Sequence, residues 1–392
     1  MANLKEEIAL LKDEVISIRR ELHMYPELGF QEFKTSSLVE NYLNELGIEV
    51  KTNVAKTGVV GVLYGREASK TALLRADMDA LPIEELNEVP YKSRNPGIMH
   101  ACGHDGHVAM LLVAAKVLIR HRDELSGNVK FVFQPSEEKS PGGAIKMIEE
   151  GVLENPHVDY AFGIHLGNMF EKGTIALRKG VFMAEADSFK IVISGIGGHG
   201  AYPHASVDPI LIASNVVLAL QTIVSREINP IDPVVVTVGK INSGDVSNVI
   251  PEKAELLGTV RTLNKNISKD MPFKIERVVK SIAEAYRGNA ELEYDFGYPP
   301  LVNHAEESEF VKRVGELIVG KDKILEAPIS MGGEDMAYFL EKVPGAFFWL
   351  GSMNKEKGFD KLFHSQYFDF DENVLPIGVE FHTRIAIEIL NM

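Results

Sequence analysis

Between Gly58 and about Leu177, apolar runs of strand length alternate with apolar runs of helical length. The strand-like runs are GVVGVLYG, TALLRADMDALP, NVKFVFQP and VDYAFGIHLG, and the helical runs are HVAMLLVAAKVLIRHR and GGAIKMIEEGVL. This alternation predicts an α/β fold in which helices cover both faces of a largely parallel sheet. Folds of this kind gather their functional groups at the carboxyl ends of the strands.

The pattern changes near Ala184, where six elements follow in the order βαββαβ. They are DSFKIVISG, DPILIASNVVLALQTIVSRE, VVVTVGKINSG, KAELLGTVRTL, SKDMPFKIERVVKSIAEAYRG and AELEYDFGYPP. This order predicts a ferredoxin-like α+β domain, a four-stranded antiparallel sheet with two helices on one face. We therefore expect an inserted domain at 184–297 and a discontinuous first domain at 1–183 and 298–392.

Composition limits the classes of partner. The net charge of −15 over 392 residues argues against binding nucleic acid or an anionic membrane. The single cysteine cannot form an intrachain disulfide, which fits a reducing cytoplasm. The stretch MANLKEEIALLKDEVISIRREL predicts a charged amphipathic helix rather than a signal peptide, and no apolar run approaches the roughly 20 residues of a membrane span. These features predict a soluble cytoplasmic protein.

The stretch GIMHACGHDGHVAM indicates metal chemistry. Cys102 and His104 lie two residues apart in a loop before a helix, so both side chains can point the same way, and a thiolate with an imidazole suits zinc or a similar ion. A small buried cysteine and a helix-capping Asp105 are the structural alternative. We expect Asp105 and His107 to shape the turn and the start of the helix, and His100 stays unassigned.

Two further stretches follow predicted strands. Glu137 and Glu138 come directly after KFVFQP, and adjacent side chains in extended backbone point in opposite directions, so one carboxylate could bind a metal while the other acts as a general base. His165 closes the strand AFGIHLG, and His364 lies in a loop after GAFFWLG. Each of these residues also fits an ordinary structural role.

Five candidate donors result: Cys102, His104, Glu138, His165 and His364. Five donors exceed one tetrahedral zinc ion but fit two ions that share a bridging ligand. A thiolate bridge by Cys102 is consistent with this count.

Ten motifs occur in a fixed order over essentially the whole chain: RRELHMYPELGFQE, LLRADMDALPIEE, MHACGHDGH, FQPSEE, GIHL, GGHGAYPH, SNVIP, GTVR, GGEDMAYFL and FHS. This order resembles that of the amidohydrolase subfamily (subfamily D) of peptidase family M20. That subfamily includes N-acyl-amino-acid hydrolases, hippurate hydrolases, auxin-conjugate hydrolases and N-acetyldiaminopimelate deacetylases. The wider family mostly begins its metal site with His-x-Asp, whereas RADMD here has Asp77 and Asp79 and no His.

The resemblance implies a phosphorylase/hydrolase-like catalytic domain with a lid domain that often mediates dimerisation, and hence a homodimer or higher homo-oligomer. It also implies two divalent metal ions (Zn, Mn, Co or Ni) bridged by Cys102. The implied roles are His104 and Glu138 in one metal site, His165 and His364 in the other, Glu137 as catalytic base, and Asp79 as a residue that orients a metal ligand.

Three residues of the inserted domain are implied to contact the substrate's carbonyl or carboxylate, sometimes across a dimer: His199, Asn248 and Arg261. Without the resemblance, the sequence favours a glycine-rich turn for His199, an ordinary turn role for Asn248 and a surface ion pair for Arg261. Glu334 and Asp335 in GGEDMAY are explained by an acidic, capped helix start.

The function we expect is metal-dependent hydrolysis of the amide bond of N-acyl amino acids (N-acetyl, N-benzoyl or similar). Glu137 would take the proton of the attacking water, His199 would stabilise the oxyanion, and Arg261 would pair with the substrate carboxylate. The alternatives are a carboxypeptidase or dipeptidase acting on short peptides, an N-acetyldiaminopimelate deacetylase, a binuclear phosphoesterase, and a catalytically silent metal-binding homologue.

Overall fold

The computed structural model describes residues 4–67 and 69–392. The chain divides into two compact units. The first consists of Met1–Phe182, Val302–Ile329 and Asp335–Met392, and the second of Met183–Leu301 and Ser330–Glu334.

The helices and strands are numbered along the chain. The helices are α1 Leu4–Leu10, α2 Lys12–Met24, α3 Phe33–Glu45, α4 His104–Arg120, α5 Gly143–Glu149, α6 Pro209–Thr222, α7 Lys265–Ala285, α8 Ala305–Ile318, α9 Met336–Leu340 and α10 Leu375–Leu390. The strands are β1 Glu49–Val54, β2 Gly58–Leu63, β3 Thr71–Asp77, β4 Asn128–Gln134, β5 Tyr160–Glu171, β6 Ile175–Leu177, β7 Gly180–Met183, β8 Glu185–Ser194, β9 Gly198–His199, β10 Val234–Asn242, β11 Val249–Ile250, β12 Lys253–Thr262, β13 Asn289–Tyr298, β14 Leu301–Asn303, β15 Ile324–Glu326 and β16 Gly345–Met353.

The first unit is built on an eight-stranded sheet with the order β1-β2-β4-β3-β5-β16-β6-β15. Its centre is parallel, since β3 pairs in parallel with β4 and β5, and β5 with β16. Antiparallel pairs flank this centre at β1–β2, β2–β4 and β6–β16. The predicted α/β class and mostly parallel mixed sheet are therefore confirmed.

The continuous apolar runs of the sequence occupy the interior of this unit. Every residue of β2, β3 and β4 is buried, and so is nearly all of α4. Strands enclosed on both faces read as unbroken hydrophobic runs because they have no solvent-facing side. Helix α4 contacts β3, β5, α2 and α10, so its first turn is held by the centre of the core.

The second unit contains the four-stranded antiparallel sheet β10-β12-β8-β13 together with α6 and α7. The strand β8 alternates buried and less buried residues, as a sheet with one covered face requires. The apolar core lies between this sheet and the two helices, and it includes Ile191, Ile193, Ile212 and Ile275.

One helix of this unit has the length and composition of a membrane span. The helix Pro209–Glu227, which is α6 continued by a π-helical turn, has 19 residues and a mean hydropathy of 1.4, enough by length and composition to cross a membrane. Its sequence is apolar because Ile212, Ala213, Val216 and Leu220 pack into the core of the second unit. Other apolar side chains of the same helix are exposed, Leu218 among them.

Two smaller differences concern the first unit. The charged amphipathic helix predicted near the N-terminus is two helices, α1 and α2, separated at Leu11. The strand predicted to end at His165 continues to Glu171 as β5. On the β3 side the pairing of β5 stops at Gly163, so His165 lies beyond the end of that pairing, although it is still paired with Trp349 of β16 on the other side.

Candidate metal centre and active site

The loop before α4 sets the positions of Cys102 and His104. Gly103 between them has a φ of +87°, a left-handed conformation that glycine adopts without a steric penalty. Cys102 and His104 are both buried, and His104 begins the helix. The sulfur of Cys102 lies 3.5 Å from Nε2 of His165 on β5.

Hydrogen bonds fix which imidazole nitrogens are open to a ligand. His104 Nδ1 donates to the carbonyl oxygen of Asp79 at 2.8 Å, and His165 Nδ1 donates to the carbonyl oxygen of Leu166 at 2.6 Å. Carbonyl oxygens only accept, so in the neutral form of each ring the lone pair lies on Nε2. Among the described residues, the buried Nε2 of His104 has no hydrogen-bond partner. Metal-binding histidines characteristically use one nitrogen for the ion and donate from the other.

The carboxylate of Glu138 joins the other candidate ligands. Its Oε2 lies 3.3 Å from Nε2 of His364 and its Oε1 lies 3.9 Å from Nε2 of His104. Oε1 is buried and makes no hydrogen bond within the described ranges. One ligand atom from each of Cys102, Glu138 and His364 falls within 4.8 Å of the others, and the same holds for His104, Glu137 and Glu138. The five predicted donors thus lie together.

His364 reaches this cluster from the loop after β16. Its backbone N–H donates to the carbonyl oxygen of Ala101 at 2.8 Å, which ties its loop to the residue before Cys102. Its φ of +64° is a left-handed conformation unusual for a residue with a side chain. Such conformations concentrate at binding sites, where the surrounding structure has to hold them.

Asp79 holds the two glutamates through their backbone. Its carboxylate oxygens accept the N–H groups of Glu137 and Glu138, each at 2.9 Å, while its carbonyl accepts from His104. Asp79 therefore contacts both loops that carry candidate ligands.

The negative charges at the site favour the binding of a cation. Burial, Glu138 and Glu137 raise the pKa of the Cys102 thiol, and burial lowers the pKa of His165. Burial opposes the protonation of His104, but Asp77 and Asp79 outweigh it and raise the pKa of that residue to about 10. The carboxylates that favour a proton on His104 would also stabilise a bound cation, and a thiol, imidazoles and carboxylates are donor types that a first-row divalent metal fits once it displaces their protons.

A third group was missed by sequence reasoning. Ligand atoms of Asp77, His104, His107 and His165 lie within 4.8 Å of one another, and all four residues are buried. The available signal was the spacing of three between His104 and His107, which places two side chains on one face of a helix. The rings of His107 and His165 have centroids 4.4 Å apart.

One residue near the site, Asp335, differs from its sequence interpretation, and another, His100, had none. Asp335 precedes α9 but makes no capping bond to it. Its carboxylate instead accepts hydrogen bonds from Gln134 and Arg75, at 2.8 and 2.7 Å. His100 is buried, and neither ring nitrogen has a partner among the residues described.

The three predicted substrate residues lie in the second unit. His199 on β9 accepts the N–H of Ala201 at Nδ1, 3.0 Å away, so in the neutral ring the proton is on Nε2. The carbonyl oxygen of Asn248 accepts the N–H of Gly200 at 2.8 Å, and its side chain is exposed. Arg261 on β12 shows no ion pair with any residue in 4–67 or 69–392, in contrast to the surface ion pair considered for it.

Together, the mixed α/β sheet and the Cys, His and Glu donors beyond its strands define a metallohydrolase class of protein. The sequence model of peptidase family M20/M25/M40 matches residues 73–388, and the chain belongs to this family.

Individual relatives agree with this membership. The chain is 42% identical to "Thermostable carboxypeptidase 2" of Saccharolobus solfataricus over 391 residues, 99% of this chain and 98% of that protein. It is 45% identical to "N-acyl-L-amino acid amidohydrolase" of Geobacillus stearothermophilus over 306 residues, 77% of this chain and 82% of that protein. A solved Bacillus subtilis structure described as a dinuclear metal binding peptidase has a TM-score of 0.83 and 34% identity, covering 98% of this chain and 99% of its own.

Proposed function

We propose that this chain hydrolyses the amide bond of N-acyl amino acids at a centre of two divalent metal ions. The observation that carries the proposal is the convergence of five donors from four separate chain segments, with the Nε2 lone pairs of His104 and His165 both directed by donated Nδ1 protons. The amidohydrolase named among the relatives supports this substrate class.

Cys102 would bridge the two ions, with His104 and Glu138 completing one site and His165 and His364 the other. Support for a shared thiolate comes from the position of its sulfur, which is 3.5 Å from His165 and grouped with Glu138 and His364. Bound ions of this kind polarise a carbonyl and lower the pKa of water. The Bacillus subtilis relative described as dinuclear supports the count of two.

Glu137 would act as the general base. It is buried, its N–H donates to Asp79, and one of its carboxylate oxygens lies within 4.8 Å of a ring nitrogen of His104 and a carboxylate oxygen of Glu138. It would accept the proton of the attacking water and return it to the leaving amine, which balances the proton over the hydrolysis.

The second unit would recognise the substrate. His199 carries its proton on Nε2, so it can donate a hydrogen bond to a developing oxyanion. Arg261 has a guanidinium without a carboxylate partner among the described residues, and a guanidinium pairs bidentately with a substrate carboxylate. Asn248 would contact the same part of the substrate.

We also propose a soluble cytoplasmic enzyme that forms a homodimer or higher homo-oligomer through the second unit. Strand β10 is an edge strand, and Val235 and Ile241 on it are exposed, as are Leu211 and Leu218 of α6. Exposed edges with apolar side chains are characteristic of surfaces that pair with another chain. Light scattering measures the oligomeric mass of the wild type and of Leu218→Glu. The same mass for the two proteins would contradict a role for that helix in assembly.

A second candidate function is carboxypeptidase or dipeptidase activity on short peptides. The carboxypeptidase relative aligns over nearly the whole chain. A free carboxylate next to the scissile amide is common to both substrate classes, so Arg261 would serve either.

The test is a panel of N-acetyl and N-benzoyl amino acids and dipeptides, assayed for amine release with Zn²⁺, Mn²⁺ and Co²⁺. We expect N-acyl amino acids to be cleaved fastest, and preferential cleavage of dipeptides would replace the first proposal with the second. Glu137→Gln should lose about 10²–10⁴-fold in turnover with metal still bound. Glu149→Gln, an exposed glutamate of another Glu-Glu pair, is the matched control and should keep full activity.

A further inference from the structure

The segment from Lys12 to Glu32 comprises α2 and the turn into α3, and it lies outside the residues 73–388 that match the family. Three of its buried side chains, Arg19, His23 and Glu32, extend to the loops that carry candidate metal ligands. What they do there rests on the proposed metal centre and adds to it.

Arg19 is fully buried and pairs with carboxylates from two distant parts of the chain. Its Nε lies 2.8 Å from Asp105, its Nη2 lies 2.9 Å from Asp369, and its Nη1 lies 3.2 Å from Glu372. A guanidinium offers donors in a rigid planar fork, so three carboxylates bound in three directions fix one another's positions. Of these three carboxylates, that of Asp105 belongs to the residue directly after the candidate ligand His104.

His23 supports the same carboxylate from the adjacent turn of α2. Its Nδ1 lies 2.7 Å from Asp105 and its Nε2 lies 3.3 Å from Glu85. The same Nδ1 also lies 3.3 Å from Nη2 of Arg19. Burial and this neighbouring cation oppose the protonation of His23, but Asp105 and Glu85 outweigh them and raise its pKa, which favours an imidazolium that donates to both carboxylates. Asp105 is thus held by two cations from one helix.

Asp105 directly follows His104 in the first turn of α4. Neighbouring residues on a helix point in directions about 100° apart, so holding one side chain also sets the rotation of the other. The carboxylate of Asp105 faces α2, and His104 directs its unpaired Nε2 towards Glu138 and Asp77. The contact between Arg19 and Asp105 therefore fixes the helix turn that presents His104.

Glu32 acts on the second ligand loop. Its Oε1 accepts the N–H of Ser136 at 2.9 Å and its Oε2 accepts the hydroxyl of Thr57 at 2.6 Å. Ser136 has a φ of +52°, a left-handed conformation that costs free energy for a residue with a side chain. Gly29 packs so closely on it that a Cβ at that position would lie 2.6 Å from the Ser136 hydroxyl oxygen.

Two buried carboxylates therefore hold three successive N–H groups of one loop. Glu32 takes that of Ser136, and Asp79 takes those of Glu137 and Glu138. Without the acceptor on Glu32, Ser136 can relax to an ordinary conformation and turn both glutamates away from the ligand cluster.

We propose that Arg19, His23 and Glu32 are positioning residues of the metal centre: they hold the His104 turn and the Glu137–Glu138 loop in the geometry that binds metal before any ion arrives. Outer-shell partners of ligands typically contribute 10- to 100-fold to metal affinity. None of the three belongs to a group of candidate ligand atoms, so they would act through the loops.

The experiment titrates full-length, metal-depleted protein with Co²⁺ and follows the visible d–d bands and the thiolate-to-cobalt charge-transfer band. Glu32→Met removes both acceptor oxygens at nearly constant volume, Glu32→Gln keeps one oxygen for the Ser136 N–H, and Arg19→Lys keeps the charge but loses the fork. The control is Glu380→Met, the same substitution at a buried glutamate of α10 whose partner is Arg384. Near-ultraviolet circular dichroism and urea midpoints report folding.

We expect Glu32→Met and Arg19→Lys to bind Co²⁺ about 10- to 100-fold more weakly with shifted d–d bands, Glu32→Gln to recover most of the affinity, and Glu380→Met to match the wild type. Should Glu32→Met fail to fold, Arg19→Lys and Glu32→Gln carry the same comparison. Wild-type affinity and spectra in both Glu32→Met and Arg19→Lys would overturn the positioning role alone. Absence of the charge-transfer band in the wild type would overturn the metal centre and the positioning role together.

Discussion

The backbone N–H of Leu166 donates to Nε2 of His107 across 2.9 Å. An N–H only donates, so this nitrogen is an acceptor, and the ring proton lies on Nδ1, which is 2.5 Å from Asp77. Both nitrogens of His107 are occupied. A ring nitrogen of His107 lies close to ligand atoms of His104 and His165. Because both of its nitrogens are hydrogen-bonded, however, His107 holds the strand segment that follows His165 in place.

Replacing His107 by Phe should therefore weaken metal binding without removing a ligand. The variant leaves the Leu166 N–H without its acceptor and removes one of the donors to Asp77, which keeps its bond from Arg75. We expect about 10- to 100-fold lower affinity but a full complement of ions at saturating Zn²⁺. The matched variant His165→Phe should lose one ion even at saturation. Elemental analysis after equilibrium dialysis separates the two, and loss of an ion from His107→Phe would make it a ligand.

Much of the candidate ligand cluster could be predicted because its residues lie in short stretches next to strong strand and helix patterns. The pairs Cys102 with His104 and Glu137 with Glu138 each follow from local spacing. Which nitrogen of each histidine is open could not be predicted, because the Asp79 carbonyl and the Leu166 N–H that decide it come from other elements.

The role of the N-terminal segment was not predictable for a related reason. Arg19 belongs to the stretch predicted to form a charged amphipathic helix, yet its side chain is fully buried. Its partners Asp105 and Glu372 are 86 and 353 positions away in the sequence. The end of β5 was not predictable either, because pairing with β16, and not the local sequence pattern, sets the length of that strand.

Replacing Cys102 by Ala should lower the number of tightly held ions from two to at most one per chain. A bridging thiolate serves both ions, so neither site remains complete without it. Elemental analysis of dialysed protein checks this against the wild type. Two tightly held ions in Cys102→Ala would rule out the bridge.

Alkylation offers an independent check on the same residue. Iodoacetamide should label Cys102, the single cysteine of the chain, far more slowly in metal-loaded protein than in metal-depleted protein, because a bound thiolate is a poor nucleophile. Mass spectrometry of both forms measures the ratio, and equal rates would show that the sulfur does not bind metal.

Arg261→Ala should raise KM for N-acyl amino acids by about 10- to 100-fold with a smaller change in kcat, since a charge-assisted pair is worth about 1.5–3 kcal/mol. The wild type should discriminate against N-acyl amino amides, which lack the carboxylate, and the variant should lose that discrimination. Arg277→Ala removes an exposed arginine of the same unit and should leave both constants unchanged. An unaltered KM in Arg261→Ala would remove it from substrate recognition.

The last prediction concerns the stability of the metal-free first unit. His382 of α10 is buried, its Nδ1 has no partner among the described residues, and burial lowers its pKa to about 3. In the unfolded chain the histidine pKa is near 6.5, so below this pH the unfolded state binds a proton that the folded state does not bind. Stability is therefore lost as pH falls below about 6.5.

Between pH 7 and pH 5 the wild type should lose about 2 kcal/mol more unfolding free energy than His382→Leu, in which this proton uptake is absent. Urea denaturation of metal-depleted proteins at both pH values measures the difference without competition between protons and metal. His157→Leu, which removes an exposed imidazole of the same unit, should follow the wild type. If His382→Leu loses as much stability as the wild type over this interval, His382 is not the group that takes up the proton on unfolding.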